Sequence, residues 1–121
     1  MAPLEEQPDS DFPPPAAEVS ISFDAGTALI TLSGEIDLAL RAGLEFAAEE
    51  AILRSLPVRV DLSAVTFMDS QGLAALLRAR QEAESSGGSL RLEGVPARVL
   101  KLLRLTRLDS VFTVDSISTE R

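Results

Sequence analysis

From residue 18 onward the hydrophobic pattern of the chain switches repeatedly between a period of two and a helical period, and this alternation restricts the folds open to it. VSISF sets Val19, Ile21 and Phe23 against Ser20 and Ser22, the pattern of a half-buried strand. Asp24-Ala25-Gly26 makes a turn in which Gly26 can supply a positive φ, and TALITLSG then reads as a second strand ending near Gly34. Such close spacing predicts an antiparallel hairpin joined by three residues.

The pattern then becomes helical. Asp37 is placed to cap LALRAGLEFAAEEAILRSL, whose apolar face is read as Leu40, Leu44, Ala47, Ala51 and Leu53, with Arg41, Glu45, Glu49 and Arg54 toward water. Pro57 closes this helix and opens the strand PVRVDLS, in which Val58, Val60 and Leu62 alternate with Arg59 and Asp61. A second helix runs from Ser70 or Gln71 to about Ser85, with Leu73, Leu76, Leu77 and either Arg80 or Ala83 inward, and Ser85-Ser86-Gly87-Gly88 stops it. SLRLE is the next strand. PARVLKLLRLT forms a third helix with proline in its first turn and Val99, Leu102, Leu103 and Leu105 as packing residues. VFTV, residues 111–114, is a last short strand, followed by a helical stub or frayed tail.

The order is therefore β-β-α-β-α-β-α-β, an α/β domain without internal repeats. A short hairpin cannot join parallel strands, so helices between the later strands imply parallel neighbours in a mixed sheet.

The 121 residues suffice for one domain, and Val, Leu, Ile and Ala must fill its core because Phe is the only aromatic residue. The chain has no cysteine and no histidine, which removes disulfides, Cys/His zinc sites and any Ser-His or Cys-His nucleophilic pair. No calcium-loop spacing is present, and no metal or cofactor is expected. The formal charge is −8, unevenly spread: residues 1–18 hold five acids and no base, whereas the remainder holds 14 acids and 11 bases. That balance opposes an extensive nucleic-acid footprint. The first residues have no basic and apolar signal pattern, and no apolar run approaches the roughly 20 residues of a membrane span. A cytoplasmic protein without membrane insertion is the expectation. Five prolines and uncompensated acids predict that residues 1–17 are a disordered leader, with the domain at 18–115 and a short tail at 116–121.

Chemistry concentrates in FMDSQG, residues 67–72. The simplest reading is that Asp69 or Ser70 caps the following helix. Ser70 as a nucleophile has no base beside it in sequence and no G-x-S-x-G elbow. The third reading is modification: a phosphate on Ser70 would add about −1.5 to −2 charges, favoured by the helix N-terminus and opposed by Asp69. Elsewhere, Gly34-Glu35-Ile36-Asp37 reads as a strand exit and cap, and Gly87-Gly88 as a turn. Arg98, Lys101, Arg104 and Arg107 concentrate positive charge around the third helix; a solvated face is the plain reading and a second docking surface the sharper one.

VDLSAVTFMDSQGLAALLRAR resembles the core signature of the bacterial STAS domain of anti-sigma-factor antagonists. The resemblance extends back through SGEID, residues 33–37, and forward through SSGGSLRLEGVPARVLKLLRLTRLDSVFTV, covering nearly all of residues 19–115. It implies the STAS fold, a mixed β-sheet with helices packed mainly on one side, and supplies the strand order that periodicity alone does not. It also implies a non-enzymatic binding protein that works by partner switching. Ser70 matches the serine phosphorylated by an anti-sigma factor with serine kinase activity, Asp69 the acid before it, and Gly72 the glycine that opens the helix. Asp37 matches an acid at the edge of the partner-binding surface. Asp37, Asp69, Ser70, Gln71 and Gly72 are thus the implied partner-binding residues. Unphosphorylated antagonist would bind the anti-sigma factor and free sigma for transcription, until phosphorylation ends binding and a PP2C-type phosphatase restores it. The chain departs from the pattern at Gln71, where the family has Ser or Thr; the longer amide could alter the fit of kinase or partner while leaving the Ser70 hydroxyl in place. Because the fold is reused, the alternative is an accessory or scaffold subunit of a transporter ATPase or sensory complex.

Overall fold

The computed structural model describes residues 17–114, so the leader and the C-terminal tail expected from sequence lie outside the described residues except for Ala17. Five strands and three helices follow in the order β1 (Glu18–Asp24), β2 (Thr27–Ile36), a 3-10 turn (Leu38–Leu40), α1 (Arg41–Leu53), β3 (Val58–Met68), α2 (Ser70–Ser85), β4 (Leu90–Glu93), α3 (Ala97–Leu105) and β5 (Thr113–Val114). The sheet order is β1-β2-β3-β4-β5. β1 is antiparallel to β2, and every later pair is parallel, as helical crossovers require.

Strand alternation gives the sheet two unlike faces. Ala28, Ile30 and Leu32 of β2, Val58, Val60 and Leu62 of β3, and Leu90 and Leu92 of β4 are buried, with Ala28, Val58 and Leu90 in one register row and Ile30, Val60 and Leu92 in the next. Leu44, Ala47, Ala48 and Ala51 of α1, Leu73, Leu76, Ala79 and Ala83 of α2, and Val99 and Leu103 of α3 complete the same core. The alternate positions of the sheet, including Thr31, Arg59, Asp61, Arg91 and Glu93, are polar apart from Leu29, and none of these six is buried. One apolar face therefore needs helices over it, and the other tolerates water.

Several expected boundaries move. Asp24 pairs with Thr27, so two residues rather than three connect the hairpin; Ala25 (φ 49°) and Gly26 (φ 82°) both adopt the positive φ that a tight twisted turn demands. The first helix is broken: Leu38–Leu40 is a 3-10 turn, and the α-helix proper stops at Leu53. Leu53 lies about 200° around the helix from Ala51 and is 79% exposed. Leu105 is likewise 72% exposed, and Ala83 rather than Arg80 is buried on α2. Of VFTV only Thr113–Val114 is strand, because the amides of Val111 and Phe112 both donate to the carbonyl of Leu108.

The largest difference concerns β3, which runs past Leu62 to Met68. Its register against β2 slips between Asp61 and Ala64 and again between Val65 and Phe67, giving β3 two extra residues. Buried positions then follow Val58, Val60, Leu62, Val65 and Met68, spaced by two and afterwards by three. The first slip is held by Asp61, whose Oδ1 accepts from the Ser63 amide (2.9 Å) and hydroxyl (2.7 Å).

Candidate functional site

The two extra residues of β3 let it end level with β2: Ile36 and Met68 are paired, and each is followed by an aspartate. Asp37 and Asp69 therefore leave neighbouring parallel strands side by side at the carboxyl edge of the sheet. Both do the same local work. Asp37 Oδ1 accepts from the Ala39 amide at 3.0 Å and starts the 3-10 turn. Asp69 Oδ1 accepts from the amides of Gln71 (2.9 Å) and Gly72 (3.0 Å) and caps α2. The Asp69 amide in turn donates to the Ile36 carbonyl at 3.2 Å, tying the two strand exits together.

This assigns the cap to Asp69 and leaves Ser70 without that duty. Ser70 is the first residue of α2 and exposed, and its hydroxyl has no hydrogen-bond partner among the described residues. Gln71, beside it, is also exposed. Gly72 is buried, and a Cβ there would lie 2.5 Å from the Ile36 carbonyl oxygen and 2.8 Å from Ile36 Cγ2. The glycine thus serves the close approach of α2 to the end of β2, which fixes where Ser70 stands.

Two residues not singled out from sequence border this edge. Leu38, directly after Asp37, is 55% exposed, and Phe67, two residues before Asp69, is 48% exposed. Phe67 has the outward parity of Arg59 and Asp61, because the two register slips cancel, and Leu38 stands outward because it opens the 3-10 turn. The edge therefore offers exposed apolar side chains around two carboxylates and a hydroxyl, the mixture found where one protein docks on another.

No group of His, Cys, Asp or Glu that could hold a metal is found among the described residues, and no helix there is long and apolar enough to cross a membrane. Asp69 Oδ1 is already committed to two amides.

The family model described as "Mlab, STAS domain" matches residues 19–114. The anti-sigma-F factor antagonist RsfB of Mycobacterium tuberculosis is 34% identical over 107 residues, covering 85% of this chain and 84% of that protein. The anti-sigma-B factor antagonist of Bacillus subtilis is 30% identical over 93 residues, covering 74% and 82%. Among solved structures, an anti-sigma factor antagonist from Mycobacterium paratuberculosis superimposes with a TM-score of 0.72 at 27% identity, covering 84% of this chain and 87% of that one. The match spans the whole sheet, its helices and the capped edge alike: the chain belongs to the STAS-domain, anti-sigma-factor antagonist family.

Proposed function

We propose that this chain is an anti-sigma factor antagonist that binds an anti-sigma factor with serine kinase activity, and that phosphorylation of Ser70 ends the binding. The observation that carries the reading is the exposed, unpartnered Ser70 hydroxyl beside a cap made wholly by Asp69. The names of the relatives support the same activity. Asp37, Asp69, Ser70 and Gln71 would meet the partner, with Leu38 and Phe67 adding apolar area and Gly72 setting the position of the helix start.

The charge arithmetic favours a switch that acts on the partner rather than on the fold. A phosphate brings about −1.5 to −2 charges to a helix start that ordinarily welcomes anions. Here Asp69 already occupies the amides of Gln71 and Gly72, so those donors are not free to absorb the new charge. The phosphate would project outward beside Asp69, where repulsion and desolvation oppose docking. A PP2C-type phosphatase would reverse the change.

The test is incubation of wild type and Ser70→Ala with the cognate anti-sigma kinase and ATP, with the modified residue located by mass spectrometry. Phosphate on Ser70 in the wild type and none in Ser70→Ala is expected; equal incorporation in both would refute the assignment. Ser70→Asp should bind the kinase less tightly than wild type. Co-purification of a transporter ATPase subunit with no anti-sigma kinase would favour the accessory-subunit reading instead.

A further inference from the structure

Four of the eleven bases of this acidic chain collect on and just after α3. From Gly94 to Val114 the sequence holds four bases, Arg98, Lys101, Arg104 and Arg107, and one acid, Asp109. All four bases are exposed, and none is in an ion pair among the described residues. Arg98, Lys101 and Arg104 follow one another at three-residue intervals on one side of α3, with the exposed Leu105 beside them. Arg98 also anchors the helix to the sheet, its Nη1 donating to the Thr66 carbonyl at 3.0 Å.

The opposite charge lies in residues 1–18, which hold Glu5, Glu6, Asp9, Asp11 and Glu18 and no base. Register shows where this stretch meets the domain. Because β1 is antiparallel to the rest, its first residue, Glu18, pairs with Ser33, which in turn pairs with Ala64 of β3. The chain therefore enters the fold at the carboxyl edge of the sheet, two strands from the point where Arg98 reaches Thr66. Two strand spacings are about 10 Å. The nine residues of α3 add roughly 14 Å of length. Asp11, seven positions before Glu18, can reach up to about 24 Å along an extended chain, and Glu5 and Glu6 farther.

We propose that the exposed basic side of α3 is a docking surface for the chain's own acidic leader. Charge complementarity and the entry point select this occupant over a separate acidic partner. Tethering holds the acids at high effective concentration, so individually weak surface pairs can act together. The inference is independent of whether Ser70 is phosphorylated.

The chain has no cysteine, so Ser10→Cys in the full-length protein accepts a single nitroxide label. At low salt, amide NMR signals of residues 98–107 should lose roughly half their intensity or more, with recovery in about 0.5 M salt, where screening shortens the reach of charge to a few ångströms. The loss should vanish in the triple variant Lys101→Gln, Arg104→Gln, Arg107→Gln. It should vanish equally when Glu5, Glu6, Asp9 and Asp11 become amides, changes that leave α3 untouched and so guard against misfolding of the first variant. Attenuation confined to residues next to Ala17, or surviving either set of substitutions, would overturn the proposal. Attenuation that grows with protein concentration would overturn it too, by assigning the leader to a second copy.

Discussion

The carbonyl oxygen of Ile36 stands 2.5 Å from the point a Cβ on Gly72 would occupy, so the last residue of β2 and the first turn of α2 approach backbone to backbone. A methyl group there must push α2 away from the strand, since the obstructing atom is main chain and cannot rotate aside. Gly72→Ala is therefore expected to lose about 1–3 kcal/mol, the usual range for overpacking, read as a lower urea midpoint. An unchanged midpoint would mean that α2 shifts freely and that Gly72 does not set the position of Ser70.

The division of labour between Asp69 and Ser70 gives a second expectation. Asp69→Ala removes the acceptor of two amides and should cost about 1 kcal/mol, within the range of roughly 0.5–2 known for caps. Asp69→Asn keeps an acceptor and should lose much less. Ser70→Ala removes an exposed hydroxyl with no partner and should alter stability by no more than about 0.5 kcal/mol. Thermal or urea unfolding of the three variants checks the order; a Ser70→Ala loss as large as that of Asp69→Ala would return capping to Ser70.

Much of this was legible before the structure, and the failures have physical causes. Strand order aside, the alternation of periods sufficed for the order of elements, because buried Val58, Val60, Leu90 and Leu92 obey the simple rule of two. The rule failed within β3, where each extra residue adds an outward position and converts the spacing from two to three. Val65 is core, against the alternation of Val58, Val60 and Leu62, only because of pairing with β2, a long-range relationship that no local window contains; the second slip restores the parity, so Met68 is inward and Phe67 outward as the simple rule has them. Leu53 and Leu105 misled for the opposite reason: both fall at helix ends, where apolar identity survives after the core has been left behind. At the strand exits, residue types marked Asp37, and Asp69 or Ser70, as capping candidates, but did not decide which of Asp69 and Ser70 is the cap.

All three α-helices end in the same way, and this leads to a third expectation. After α1 the Leu56 amide donates to Ala51 and the Ser55 amide to Ile52; after α2 Gly88 donates to Ala83 and Gly87 to Glu84; after α3 Leu108 donates to Leu103 and Arg107 to Arg104. Each motif needs one left-handed residue, supplied by Ser55 (φ 56°), Gly87 (φ 85°) and Arg107 (φ 63°). Only the second is the residue type that takes this conformation without a steric penalty. Ser55→Gly and Arg107→Gly should each raise stability by up to about 1 kcal/mol, and Gly87→Ala should lower it by about 1 kcal/mol or more. Chemical denaturation reads the signs directly, and a destabilising Ser55→Gly would contradict the strain assigned to that position.

The last expectation concerns the uncovered face of the sheet, where Arg59 of β3 and Glu93 of β4 form a two-pronged pair. Nε meets Oε2 at 2.5 Å and Nη2 meets Oε1 at 2.9 Å, although Arg59 and Glu93 are diagonal rather than direct neighbours in the register. Their side chains are 39% and 19% exposed, so water screens the attraction, while the fork geometry favours it. Arg59 makes a further interaction besides this pair, so Arg59→Ala alone overstates it. A double-mutant cycle with Arg59→Ala and Glu93→Ala isolates the shared part. A coupling of about 0.5–1 kcal/mol is expected at low salt, declining as salt is added. Zero coupling at low salt would show that β3 and β4 are held by their backbone ladder and buried valines and leucines, with the ion pair contributing nothing to the fold.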